Sequence, residues 1–209
     1  MTLITKLDLS NYENMYNNFD GGHNINHCFT VRNMAVVLAQ KYLPNKVEQS
    51  YIAATLHDIG LSVDRENHES EGEKLIRRDK YLLDNLSPDD IEEICHAVKE
   101  HRASTGNPQT ILAKIISDAD RGGGCDNSSQ AFSRSYEYVL KNSPELTLEE
   151  QIKKAAEHQA TKFTPGSYGR RTYFPETEER LKKIYDPIII AYQKQDLKYL
   201  KSLIGRLVK

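Results

Sequence analysis

The sequence has no surplus of positive charge: 28 lysines and arginines face 30 aspartates and glutamates, leaving a net charge of −2. It therefore lacks the basic field that holds duplex nucleic acid by its phosphates, and duplex binding is not expected. Cysteine is scarce as well. Cys28, Cys95 and Cys125 are odd in number and show no C-x-x-C spacing, which argues against a disulfide framework and predicts a reducing compartment. The opening stretch from Met1 to Asp8 has no basic segment followed by an apolar one, so no secretory signal is expected. Ile188-Ile189-Ile190-Ala191, the longest dense apolar stretch near the C-terminus, falls far short of a membrane span. No convincing run of strict polar–apolar alternation occurs, and internal repeats and low-complexity tracts are missing too. These absences predict a cytoplasmic protein without a membrane anchor.

What is present is helical periodicity. The 209 residues, 28% charged and 38% apolar, suit a globular chain with one sizeable core, alone or with an appendage. The spacing predicts an all-α fold with helices over about 26–43, 47–59, 69–79, 88–101, 109–120, 128–141 and 147–161. One or two more fill 176–205, after a loop over about 163–175. Gly60 reads as the stop of the second helix, Ser87-Pro88 as the start of the fourth, and Thr147-Leu148-Glu149-Glu150 as a capping box.

The informative residues are acids and histidines on apolar faces. His57-Asp58 ends the apolar run Ile52-Ala53-Ala54-Thr55-Leu56, where an ionised carboxylate is costly unless it is paired or metal-bound. Neighbours on a helix diverge by about 100°, so the pair can meet one cation only where the helix loosens. His27 lies in line with Val31, Met34 and Leu38. Asp120 continues the Leu112 and Ile116 stripe, while Asp118 joins Ile111 and Ile115, so periodicity alone leaves both aspartates open. Ligand-type side chains on three apolar helix faces need a shared partner, and a cation supplies one.

In Asn26-His27-Cys28, Leu56-His57-Asp58-Ile59-Gly60 and Asp118-Ala119-Asp120-Arg121, the chain resembles the HD superfamily of metal-dependent phosphohydrolases, whose pattern is H…HD…D. The resemblance spans about 24–124, and the "A-D-R" context selects Asp120 over Asp118. It implies a helical HD-type metal-binding domain over 1–160, with 161–209 as a C-terminal loop and helical extension packed on it. It further implies His27, His57, Asp58 and Asp120 as metal ligands. Asn67-His68-Glu69-Ser70-Glu71-Gly72 and Ala97-Val98-Lys99-Glu100-His101-Arg102 resemble the family's further histidine segments. Such histidines hold a second ion bridged by the HD aspartate, or contact substrate phosphate. The implied catalytic set is Asp58, His68, His101 and Arg102. Mixed imidazole and carboxylate donors suit manganese, iron, nickel, cobalt or zinc.

The implied reaction is hydrolysis of a phosphate ester, on a nucleotide or another small phosphorylated metabolite. A di-iron oxygenase and a non-catalytic, metal-containing ligand-sensing domain are the alternatives. Gly106-Asn107-Pro108 departs from the glycine-tyrosine-proline subgroup, and Gly122-Gly123-Gly124 departs from the alarmone hydrolases. Arg170-Arg171 reads as a loop able to close over an anion. His23 and His96 read as surface residues, His158 as a histidine with no recognisable partner, and Cys28 as packing. Pairing into a homodimer through an apolar helix face is compatible with this pattern.

Overall fold

Periodicity becomes helix throughout the computed structural model, which describes residues 4–205. Residues 1–3 of the stretch read for a signal, and 206–209 of the C-terminal extension, lie outside those described. The described residues form eleven α-helices and no strand, which bears out the all-α class, with α-helices beyond those the periodicity predicts. Two compact units divide the chain, Met1–Gly124 and Cys125–Lys209.

The first unit comprises α1 (Ser10–Met15), α2 (Ile25–Tyr42), α3 (Val47–Leu56), α4 (His68–Arg78), α5 (Lys80–Asn85), α6 (Pro88–Lys99) and α7 (Ile111–Asp120). Its core is where α2, α3, α6 and α7 meet, with Val31, Leu38, Ile52, Leu56, Ile94, Val98, Leu112 and Ile116 buried. Each such side chain contributes about 1.5–3 kcal/mol on leaving water. Asn24 starts α2, its side chain accepting the N–H groups of Asn26 and His27 at 3.0 and 3.2 Å. The Ser87 cap of α6 is present, its hydroxyl accepting the Asp90 N–H at 3.1 Å.

Gly60 does not act as a left-handed helix stop. α3 ends earlier, at Leu56, and Gly60 sits buried in the 3₁₀ turn Ile59–Ser62. A Cβ there would lie 1.9 Å from the His68 carbonyl oxygen and 2.5 Å from the Gly72 nitrogen. The glycine is needed for close approach: it lets the start of α4 rest against the HD turn. Gly122, Gly123 and Gly124, at φ 78°, 62° and 71°, do end α7 abruptly.

The second unit comprises α8 (Ser128–Asn142), α9 (Leu148–Phe163), α10 (Pro175–Gln193) and α11 (Leu197–Leu203). The Thr147 capping box opens α9. The sequence reading assigned 1–160 to one domain, but α8 and α9 bury Phe132, Ile152, Ala155 and Phe163 with Leu181, Ile184 and Ile188 of α10. The division therefore falls at Gly124, not after residue 160. Among the described residues, no helix is long and apolar enough to cross a membrane.

Candidate metal centre

The site begins where α3 stops. The His57 ring turns back on its own helix, its Nδ1 2.8 Å from the Ala54 carbonyl oxygen. A carbonyl only accepts, so Nδ1 carries the proton and Nε2 presents a lone pair. Asp58 leaves helical geometry at φ −106°, ψ 3°, and its N–H donates to the buried Tyr16 hydroxyl at 3.2 Å. The loosened turn brings His57 Nε2 to 3.0 Å from Asp58 Oδ2, although the two residues are adjacent.

Three other elements deliver the remaining groups. From the first turn of α2, His27 Nε2 lies 3.1 Å from His57 Nε2 and 3.4 Å from Asp58 Oδ2. Asp120, at the end of α7, places Oδ1 3.3 Å from His27 Nε2 and 4.0 Å from His57 Nε2. On the other side of Asp58, Oδ1 faces His68 Nε2 at 3.5 Å and His101 Nε2 at 3.6 Å. Those two nitrogens are 3.3 Å apart. Two buried ligand groups result, His27–His57–Asp58 and Asp58–His68–His101, sharing one carboxylate.

Residues 24–121 match the family model of the HD domain. The match covers just under half of the 209 residues, and what that stretch is similar to is a superfamily of metal-dependent phosphohydrolases. No curated protein and no solved structure matches the chain significantly.

The donors of this stretch fit a cation. His68 Nδ1 lies 3.1 Å from the Arg65 carbonyl oxygen, and His101 Nδ1 lies 2.6 Å from that of Val98. With His57, three imidazoles therefore aim Nε2 lone pairs at the Asp58 carboxylate, and lone pairs facing one another at these distances call for positive charge between them. Asp58 Oδ2 is buried with no hydrogen-bond donor, a costly state unless a cation or proton is shared there. The acidities agree. Burial disfavours the Asp58 carboxylate, yet His57, His101 and His27 hold its pKa well below the ordinary value. Asp120 is lowered in the same way, against burial, by His27 above all. Burial opposes a charged His27, but Asp120 and Asp58 raise its pKa to about 10. Burial also opposes charge on His101, which Asp58 nevertheless raises, whereas burial and the neighbouring His101 lower His68.

The six sequence-predicted histidines and aspartates, His27, His57, Asp58, His68, His101 and Asp120, come together. Asp118 is fully buried on the adjacent stripe and is not part of either ligand group. Arg102 faces elsewhere: Nη1 donates to the Glu66 carbonyl at 2.6 Å and lies 3.4 Å from Glu69. Arg170 is buried in the second unit, bonded to Asp186 at 2.8 Å and Glu178 at 3.4 Å, so it is committed to structure and not to a closing loop. Cys28 is packed, as expected. His158 is exposed against Tyr138 and His96 is half-buried outside the cluster.

Sequence reasoning missed Tyr16, and it dismissed His23. His23 is only half-exposed, its Nδ1 3.0 Å from both Asp20 oxygens and its ring 5.7 Å from the His27 ring. Asp20 also pairs with Arg65. The four-residue step from His23 to His27 was the signal available, but His23 precedes α2 and carries no apolar stripe.

Proposed function

We propose that the chain hydrolyses a phosphate ester, of a nucleotide or another small phosphorylated metabolite. His27, His57, Asp58 and Asp120 hold one divalent cation, and Asp58, His68 and His101 hold a second. One observation carries the reading: the two oxygens of Asp58 face two separate pairs of imidazole nitrogens. When bound, such ions polarise a phosphoryl oxygen and lower the pKa of water toward neutrality.

The chain's own groups do the rest. Backbone carbonyls of Ala54, Arg65 and Val98 fix the tautomers of His57, His68 and His101, so the rings meet the reaction already oriented. Glu69 Oε2, 3.3 Å from His68 Nδ1, supports that ring, and Arg102 steadies Glu69. Asp120, its side chain 26% exposed, marks the side from which substrate enters. Asp58 orients the attacking water through its buried carboxylate. A cytoplasmic setting suits three free, buried cysteines.

The test is hydrolysis of p-nitrophenyl phosphate, bis-p-nitrophenyl phosphate and a nucleotide panel, with and without manganese, nickel, cobalt, iron or zinc. Activity depends on metal, and Asp58→Ala lowers it by more than about 100-fold, beyond the usual loss for an outer-shell partner. Activity that survives chelation, or survives Asp58→Ala, contradicts the reading. The paired ligand groups also favour a second reading, a di-iron oxygenase. Oxygen uptake coupled to turnover selects it.

A further inference from the structure

We infer that the Tyr16 hydroxyl is the positioning group that lets His57 and Asp58 converge on one point. The inference rests on the metal-centre reading above. Successive side chains of a continuing α-helix diverge by about 100°, so an intact helix would spread the two ligands apart. Something must hold the break open at its buried position, and Tyr16 is placed to do so.

Tyr16 has no exposed surface. It lies in the 3₁₀ turn Tyr16–Asn18, between α1 and α2, with its ring edge on Phe19 at 5.2 Å and tilted against His57 at 6.1 Å. Its O–H donates to the Thr55 carbonyl at 3.0 Å, satisfying one of the carbonyls left over at the end of α3. Its oxygen accepts the Asp58 N–H at 3.2 Å and lies 3.3 Å from His57 Nδ1, whose nearer acceptor is Ala54. One hydroxyl thereby donates to the last turn of α3 and accepts from the residue that breaks it. It keeps the Asp58 N–H satisfied outside the helical ladder. Tyr16 meets the ligand cluster through these bonds and through its ring against His57, so its effect on chemistry is indirect.

Cobalt(II) titration of the metal-free full chain tests this, with the visible spectrum reporting ligand geometry. Three chains are compared: wild type, Tyr16→Phe, and Tyr136→Phe. The last loses another buried hydroxyl bond, to Gln151 at 3.2 Å in the second unit. Tyr16→Phe is expected to bind cobalt about 10–100-fold more weakly, with an altered spectrum, while Tyr136→Phe matches wild type. Wild-type affinity and spectrum in Tyr16→Phe overturn the inference, as does equal weakening in both variants. A wild type that takes up no cobalt defeats the metal-centre reading instead. Amide exchange on the wild type needs no variant to fold: the Asp58 N–H is expected to be protected although it lies outside α3. Exchange at the rate of an open turn overturns the inference.

Discussion

His27 differs from the other histidines of the centre in its outer nitrogen. Its Nδ1 is buried without a partner, whereas His57, His68 and His101 each have a backbone carbonyl there. Its charge balance is set from the inside, by Asp120 and Asp58. Without metal, the raised pKa of about 10 keeps a proton at His27 through neutral pH. A cation must displace that proton, so apparent metal affinity rises by about tenfold per pH unit up to about pH 10, as isothermal titration in several buffers can show. The metal-free chain behaves oppositely in stability. The stabilisation from a protonated His27 is complete below its ordinary 6.5 and is lost as pH rises through about 10. Affinity that is flat over this range contradicts the assignment of His27 as a ligand. At this scale the sequence was informative where a polar residue continues an apolar stripe, as at His27 and Asp120. It was silent on Tyr16, whose role comes from a hydroxyl meeting the end of another helix.

Whole elements explain why His68 reaches the centre. In the sequence His68 lies outside any clear apolar pattern, and only the family resemblance pointed to it. Its position is set by Gly60, whose missing side chain lets α4 approach the HD turn. Backbone atoms of α4 cannot swing aside, so Gly60→Ala is expected to destabilise the fold by about 1–3 kcal/mol or more, read by thermal denaturation. It should also displace His68 and cost the Asp58–His68–His101 ion while the His27 side is retained. An unchanged melting temperature and metal content would show that α4 adapts. Long helices with clear caps were legible within a few residues. α1 and α5, six residues each, are too short for periodicity to register. α3 is shorter than its apolar pattern because the HD turn is stabilised by tertiary bonds that local pattern does not encode.

For the whole molecule, the clustered histidines and aspartates all belong to the first unit, between His27 and Asp120. The second unit has a core of its own. Its amphipathic helices were legible, but the surfaces they bury were not, because an apolar face does not name its partner. Arg170 shows the same limit: a loop arginine looks available in sequence, and Asp186 and Glu178 hold it in the structure. The central claim is that one carboxylate, Asp58, joins two cation sites. Metal per chain, measured by elemental analysis on wild type, His101→Ala and Asp58→Ala, tests it most directly. The account predicts two ions in wild type, one in His101→Ala and none in folded Asp58→Ala. Wild-type metal content in Asp58→Ala would contradict it.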